Sequence, residues 1–322
     1  MPSPFTPLIT IGITCYNAAD TIARAIDSAL SQDWPDFEIV IVDDCSTDET
    51  IQVLKHLEKE NPTLIVMYQT VNGGVATTRN KIIQHAKGDF IAFFDDDDFS
   101  DPQRLRKQYE RIISYEEHHA QAAPVICHTA RTQIYPDGSN HYEVTIGTNN
   151  GAAPHDTSVA ERILTGKPVV HGFGSTATCS QMARTSLYKQ LQGFDENFKR
   201  GEDTDFNIRA AIIGAHFVGI SDPLVTQTMT KASDKSLEDE GMYSLQLLEK
   251  HKTFIETKTS YQFCYQWLVA KYDFLAGRKK KFILKLMKLT LTNPVRTLQR
   301  LYWSLPNICF NLKTKRFHNE PR

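Results

Sequence analysis

Phe90-Ile91-Ala92-Phe93-Phe94-Asp95-Asp96-Asp97-Asp98 is the stretch on which the reading of this chain turns. Five apolar residues in a row, with no polar alternation, predict a strand covered on both faces. Four carboxylates follow without a spacer. Two like charges about 4 Å apart repel by roughly 4 kcal/mol at an effective dielectric near 20. Such a cluster at a strand end calls for a positive counterpart. A divalent cation fits, because hard cations take oxygen ligands. The bland alternative is a solvated acidic turn ahead of the helix that opens at Asp101-Pro102. In an α/β protein, however, ligands bind at the carboxyl ends of strands, and that favours a site.

Outward from this strand, the first half alternates strand and helix. Leu8–Thr14, Phe37–Val42 and Thr63–Gln69 read as strands, and the fourth starts at Gly88-Asp89. Asp20–Ser31 carries Ile22, Ala25, Ile26, Ala29 and Leu30 on one helical face. Asp48–Glu60 reads as a second helix, with Ser46 or Thr47 as its expected cap. Asn72-Gly73-Gly74 opens a third that runs to Lys87. This order predicts a mostly parallel sheet with right-handed crossovers. From about Ala123 to Thr230 the pattern is mixed. Pro124–Tyr135 and His141–Ile146 flank Pro136-Asp137-Gly138-Ser139-Asn140 as a hairpin, and Gly151–Pro154 reads as a mobile loop. Thr157–Leu164, Arg184–Leu191 and Asp203–Ile213 read as helices, and Ala215–Ile220 as a strand.

The chain holds 36 Lys/Arg and 38 Asp/Glu, but they are unevenly spread. Residues 241–322 hold 16 Lys/Arg against 4 Asp/Glu, whereas residues 1–240 hold 20 against 34. A basic tail of this kind is expected to meet an anionic surface. The six cysteines (Cys15, Cys45, Cys127, Cys179, Cys264, Cys309) form no C-x-x-C pair and read as reduced thiols. The start, Met-Pro-Ser-Pro-Phe-Thr-Pro, lacks a signal-peptide pattern, and no run of eighteen apolar residues occurs. The expected location is cytoplasmic.

Familiar fingerprints are missing. No G-x-G-x-x-G follows the first strand, and neither a P-loop nor a G-x-S-x-G elbow is present. What remains is a nucleotide site built from strand ends. Tyr16 can stack on a base, Asp44 can accept a base N–H, and Arg79 can pair with a phosphate. The aspartates can hold a cation that bridges a diphosphate. Taken singly, Tyr16 is as well read as a packed aromatic and Arg79 as a solvated helix residue. Together they fall at or just after the carboxyl ends of successive strands.

Residues 8–220 resemble the family 2 nucleotide-sugar glycosyltransferases of GT-A fold. The resemblance rests on Ile11–Asn17, Glu38–Asp48, Asn72–Asn80, Lys87–Asp98, Gly193-Phe194-Asp195-Glu196 and Gly201-Glu202-Asp203. It implies a Rossmann-like α/β fold: a mostly parallel central sheet flanked by helices, plus a helical basic C-terminal extension. Residues 1–232 would form the catalytic domain, with a donor half to about 120 and an acceptor half from about 121; residues 233–322 would be the extension. The resemblance places Thr14, Tyr16, Asn17, Asp44, Arg79 and Asp95 around the nucleotide sugar, and Mn2+ or Mg2+ on Asp95, Asp97 and Asp98. Asp96 holds the motif's variable position, so its charge is a departure. Asp203 matches the catalytic base, with Glu202 beside it to position the acceptor.

The implied reaction is a metal-dependent, inverting transfer of one sugar from a nucleoside-diphosphate sugar to a glycan acceptor. Uridine is the expected base. A base near the acceptor hydroxyl is worth about 10²–10⁴-fold. On its own, Asp203 reads rather as a helix-capping or first-turn residue. His171, before Gly172-Phe173-Gly174, is an acceptor-contact candidate set against a packed or solvent histidine. The chain has no Q-x-x-R-W motif, so single addition is expected. A nucleotidyltransferase would want a Gly-rich, Arg-containing loop after the first strand, which Thr14–Asn17 is not. A non-catalytic sugar-nucleotide binder would not need Asp203. In the tail, Lys281, Lys285 and Lys288 share a helical face, with Ile283, Leu286, Met287 and Leu289 opposite. Leu298, Leu301, Tyr302, Trp303 and Leu305 follow. This suits an anionic membrane on its cytoplasmic face. With such a tail, the resemblance implies a lipid-linked acceptor of cell-surface polysaccharide, O-antigen or lipopolysaccharide assembly. The alternative is helices packed on the catalytic domain. No nucleic-acid reading motif accompanies the charge.

Overall fold

The structure, a computed structural model, describes residues 6–229 and 237–304. It divides into two compact units, Met1–Ala160 with Val170–Ala232, and Glu161–Val169 with Ser233–Arg322.

In the first unit the order is β1 (Ile9–Cys15), α1 (Ile22–Leu30), β2 (Phe37–Asp43), α2 (Thr50–Glu60), β3 (Leu64–Tyr68), α3 (Gly74–His85), β4 (Phe90–Asp95) and β5 (Phe99–Ser100). Then come α4 (Arg104–His118), β6 (Val125–Ile134), β7 (Asn140–Glu143), α5 (Thr157–Thr165, assigned to the second unit from Glu161 on), β8 (Gln181–Arg184), α6 (Thr185–Gln190), α7 (Glu202–Ile212) and β9 (His216–Thr228). One sheet runs β3-β2-β1-β4-β8-β6-β9-β5, with β7 paired to β6. The β3-β2-β1-β4 block is parallel, as is β6-β9; β8 lies antiparallel between β4 and β6.

Sequence dictates this block simply. All seven residues of β1 are buried, as are the five apolar residues of β4. A strand apolar on both faces is stable only with layers on both sides. Ile9, Ile11, Ile13, Phe90, Ala92 and Phe94 pack on one face with Ile22, Ile26, Leu105 and Ile112. On the other face Gly12 leaves room: a β-carbon there would meet Ile82 at 2.6 Å, so α3 lies close to the sheet.

The mixed half differs from the sequence reading in three places, one being β9, which runs on to Thr228 where a strand ending at Ile220 was expected. β8 was not expected, and the helix foreseen from Arg184 begins one residue later, after this four-residue strand. A four-residue strand whose two ends are polar, Gln181 and Arg184, carries too little pattern to be seen. The Gly151–Pro154 loop is anchored rather than loose. Ala153 is buried, its N–H donates to Tyr115 Oη, and the Phe217 N–H donates to the Pro154 carbonyl.

The second unit is helical: α8 (Leu237–Lys250), α9 (Lys252–Lys258), α10 (Tyr261–Leu275), α11 (Lys279–Thr292) and a last helix over 294–304. Phe263, Ala270 and Leu289 form its small core, with Trp267 and Phe282 against it. Leu305 and Cys309 lie outside the described residues. Among the described residues no helix is long and apolar enough to cross a membrane.

Candidate active site

Parallel register aligns the strand ends. Thr14 of β1 lies opposite Val42 of β2 on one side and Asp95 of β4 on the other. The chain leaves β1 through Tyr16, half-exposed, and Asn17, in a left-handed turn with φ 51°. Asparagine tolerates that conformation better than most residues. The Asn17 N–H donates to Ser46 Oγ at 2.9 Å, and Asn17 Oδ1 accepts from the Thr47 N–H at 2.8 Å. Asn17 thus ties two loops of the rim together. Neither Ser46 nor Thr47 caps α2; Asp48 accepts the Thr50 N–H at 3.0 Å instead. Ser46 is occupied with Asp43 and Asn17.

Asp44 is buried and accepts from Gln69 Nε2 at 2.6 Å and from the N–H groups of Gly73 at 2.7 Å and Gly74 at 2.8 Å. Its carboxylate sits at the N-terminus of α3, where free N–H groups and the helix dipole favour negative charge. The residue expected at a base edge therefore also fixes β2 to α3. Nothing in the sequence marked that tether.

The four aspartates diverge, because β4 ends at Asp95 and strict alternation ends with it. Asp96 accepts the Tyr16 N–H at 2.9 Å. Burial pushes its carboxyl up to about 7 against the pull of that bond, with Asp97 and Asp95 adding to the rise. The backbone carbonyl of Asp97 holds Arg24 Nη2 at 2.6 Å. Asp98 turns inward and is buried, and neither of its oxygens has a hydrogen bond of normal geometry. Burial, then Asp95 and Asp97, raise it to about 8. Asp95, Asp98 and Cys179 place one ligand atom each within 4.8 Å of one another. Asp97, expected with Asp95 and Asp98, is not in this group, and Cys179 was not foreseen. An orphaned buried carboxylate beside a second one fits a hard cation. The Cys179 sulfur does not, being a soft donor that already takes a hydrogen bond from Arg131 at 3.0 Å.

Two cations brace this cluster from inside, and sequence reasoning missed both. Arg104 is fully buried and donates to Phe93 O at 2.8 Å, Ser100 Oγ at 2.9 Å and Gln108 Oε1 at 3.1 Å. Burial lowers its pKa to about 10. Arg131 donates to Cys179 Sγ at 3.0 Å and pairs with Glu143. Both sit in sequence where a solvated helix residue or an edge-strand residue is the ordinary reading.

Arg79 is buried rather than exposed. Its Nη1 donates to Glu202 Oε1 at 2.6 Å, its Nη2 lies 3.7 Å from Asp95 Oδ1, and its plane lies 5.3 Å from the Phe194 ring. Burial opposes its charge, but Glu202, Asp95 and Asp203 together raise its pKa. Glu202 is buried, and burial raises its pKa against the pull of Arg79, with Asp203 adding to the rise. Both residues open α7, behind Gly201 in a left-handed turn with φ 80°. Asp203 is half-buried and accepts the Thr204 N–H at 2.6 Å. The guanidinium expected on a diphosphate is thus already held between carboxylates. His171 is an exposed residue in a left-handed turn, with its carbonyl accepting the Gly147 N–H.

Residues 10–165 match the model of the family described as Glycosyl transferase family 2. A Bacillus subtilis protein described as a teichuronic acid biosynthesis glycosyltransferase is 41% identical over 107 residues, 33% of this chain and 42% of that protein. A Staphylococcus aureus poly(ribitol-phosphate) beta-N-acetylglucosaminyltransferase is 28% identical over 213 residues, 65% of this chain and 33% of that protein. The chain therefore spans less than half the length of these relatives. Among solved structures, S. aureus TarS in complex with UDP-GlcNAc matches with a TM-score of 0.56 at 19% identity, over 98% of this chain and 93% of the other. The mannosyltransferase from Pyrobaculum calidifontis in complex with GDP-Man and Mn2+ matches with a TM-score of 0.53 at 17% identity, over 93% of this chain and 86% of the other. The shared architecture is the GT-A fold.

Proposed function

We propose that this chain, whose residues 10–165 match the model of Glycosyl transferase family 2, is a metal-dependent, inverting glycosyltransferase. It would move one sugar from a UDP-sugar to a glycan acceptor of cell-surface polysaccharide assembly, with that acceptor lipid-linked. The observation that carries the proposal is Arg79, which touches Glu202 and lies beside Asp95. Through it the carboxylates at the end of β4 and those at the start of α7 meet at one rim. The printed names of the relatives, on teichuronic acid and poly(ribitol-phosphate), support the acceptor class. The UDP-GlcNAc and Mn2+ complexes of the structural neighbours support the donor and metal classes.

In this reading Asp203 takes the proton of the acceptor hydroxyl as it attacks the anomeric carbon. Attack from the face opposite the leaving group gives inversion. Glu202 is a positioning residue: locked by Arg79, it fixes the first turn of α7 and hence Asp203. Arg79 is given the same positioning part in place of the diphosphate contact. Thr14, Tyr16, Asn17 and Asp44 form the nucleoside wall, with the exposed Tyr16 ring available for stacking on the base. Asp95 and Asp98, with Asp97 at the turn, would supply the oxygens for Mn2+ or Mg2+. Bound there, the ion would act as a Lewis acid on the departing diphosphate. A cytoplasmic, peripheral position at a membrane completes the proposal.

A thermal-shift screen of nucleotide sugars with and without Mn2+ tests it. Binding to the native state raises stability by mass action. The expected result is a cation-dependent rise with uridine nucleotides. A chain indifferent to every nucleotide would overturn the reading.

A further inference from the structure

The second unit presents one helix face that its own core does not use. On α11, Leu289 turns inward, and Phe282 packs on Phe263, Ala270 and Trp267. Lys285 and Arg278 are spent on Asp273 of α10. The apolar residues left outside are Ile283, Leu284, Met287 and Leu291 on α11, and Val295, Leu298 and Tyr302 on the last helix. Within each helix the spacing of three and four keeps them on one face; Asn293, with φ −144° and ψ 63°, separates the two helices. Leu291 is 83% exposed and Tyr302 72%. Scattered single apolar residues need no explanation, but a contiguous row of this length marks an interaction surface.

Charge says what covers it. Residues 278–304 hold eight Lys/Arg and no Asp or Glu. Lys279, Lys280, Lys281, Lys288 and Arg296 are exposed on the same two helices. A second copy of this face would bring like charges together with no carboxylate to meet them. Residues 305–322 are no better a cover, with four Lys/Arg against one Asp/Glu. An apolar row with basic flanks matches the interface of an anionic bilayer, where the apolar side chains enter the acyl boundary and the lysines meet headgroups.

We propose that α11 and the helix over 294–304 dock this protein on an anionic lipid surface, lying in the interface through Leu284, Met287, Leu291, Val295, Leu298 and Tyr302. The face differs from the one read in the sequence, which counted Leu289 outward and left out Leu284 and Leu291. This deepens the peripheral-membrane part of the proposed function, and its test reads lipid binding without any sugar transfer. Both helices lie in the interface plane rather than across it, in keeping with their length.

Full-length protein is sedimented with vesicles of phosphatidylcholine alone or mixed with phosphatidylglycerol, at low and high salt. The expected result is binding to the mixed vesicles at low salt only. Met287→Glu/Leu291→Glu, at exposed positions, should weaken it by on the order of tenfold or more, since charge on the inserted face opposes burial. Lys280→Glu/Lys281→Glu should weaken it similarly. Circular dichroism melts check that both variants remain folded, and a nucleotide thermal shift retained in them separates this inference from the transferase reading. Protein left in the supernatant at low salt would overturn it. So would equal pelleting of the Met287→Glu/Leu291→Glu variant. So would a self-associated wild type that this variant disperses and that ignores vesicles.

Discussion

Arg79 crosses 123 residues of sequence to donate a 2.6 Å hydrogen bond to the buried carboxylate of Glu202. The same guanidinium stands 3.7 Å from Asp95. Removing one partner of such a pair leaves an uncompensated buried charge, at a cost of about 3–5 kcal/mol. Arg79→Met should therefore destabilise the chain by that order in urea unfolding. Arg79→Met/Glu202→Leu should recover a large part, because neither charge is then left alone. Additive losses in that cycle would show that the two residues do not depend on each other.

The aspartate cluster makes a second prediction. Asp98→Asn should abolish the Mn2+-dependent part of the thermal shift produced by UDP, because Asp98 and Asp95 form the buried carboxylate pair. If Asp98→Asn keeps that shift while Asp97→Asn loses it, the cation belongs to the turn at Asp97 instead. Retention by both variants would remove the cation from this cluster. Asp96→Ala is not silent in this account, as it frees the Tyr16 N–H. Because burial already raises that carboxyl to about 7, the lost hydrogen bond should cost no more than about 1 kcal/mol, read in the same unfolding assay.

How much of this was legible beforehand depended on how local the signal was. β1, β2 and β4 were readable because burial on both faces writes a continuous apolar run. The Asp95–Asp98 cluster was readable because four adjacent charges have no cheap structural use. The directions of Asp96, Asp97 and Asp98 were not, because alternation holds only inside a strand and β4 stops at Asp95. The tethers at Asn17 and Asp44 were hidden for another reason: their partners lie 25 to 30 residues away in sequence. Arg79, Arg104 and Arg131 are buried cations, a state that sequence composition makes improbable for arginine. On α11 the periodicity was correct but its phase was not, since Asp273 draws Lys285 inward.

Acid sensitivity has an identifiable source in His128. It is fully buried against Phe217, and burial, with Arg131 and Arg104 adding to the effect, lowers its pKa to about 3. Between about pH 3 and 6.5 the unfolded chain then binds the proton and the folded one does not. Stability present above pH 6.5 is therefore lost as pH falls, by at most about 1.4 kcal/mol per pH unit from this group. His128→Leu should flatten the stability curve between pH 6.5 and 4.5, measured by urea midpoints. An unchanged slope would assign the acid limb to other groups.

The most direct test of the central claim is UDP release from a panel of UDP-sugars in the presence of Mn2+, with water as acceptor, compared between wild type and Asp203→Asn. A base that acts only in the transition state changes turnover without changing ground-state affinity. The account predicts slow release by wild type, about 10²-fold or more slower release by Asp203→Asn, and UDP affinities that agree within about twofold. Equal release rates, or loss of UDP binding in the variant, would contradict it.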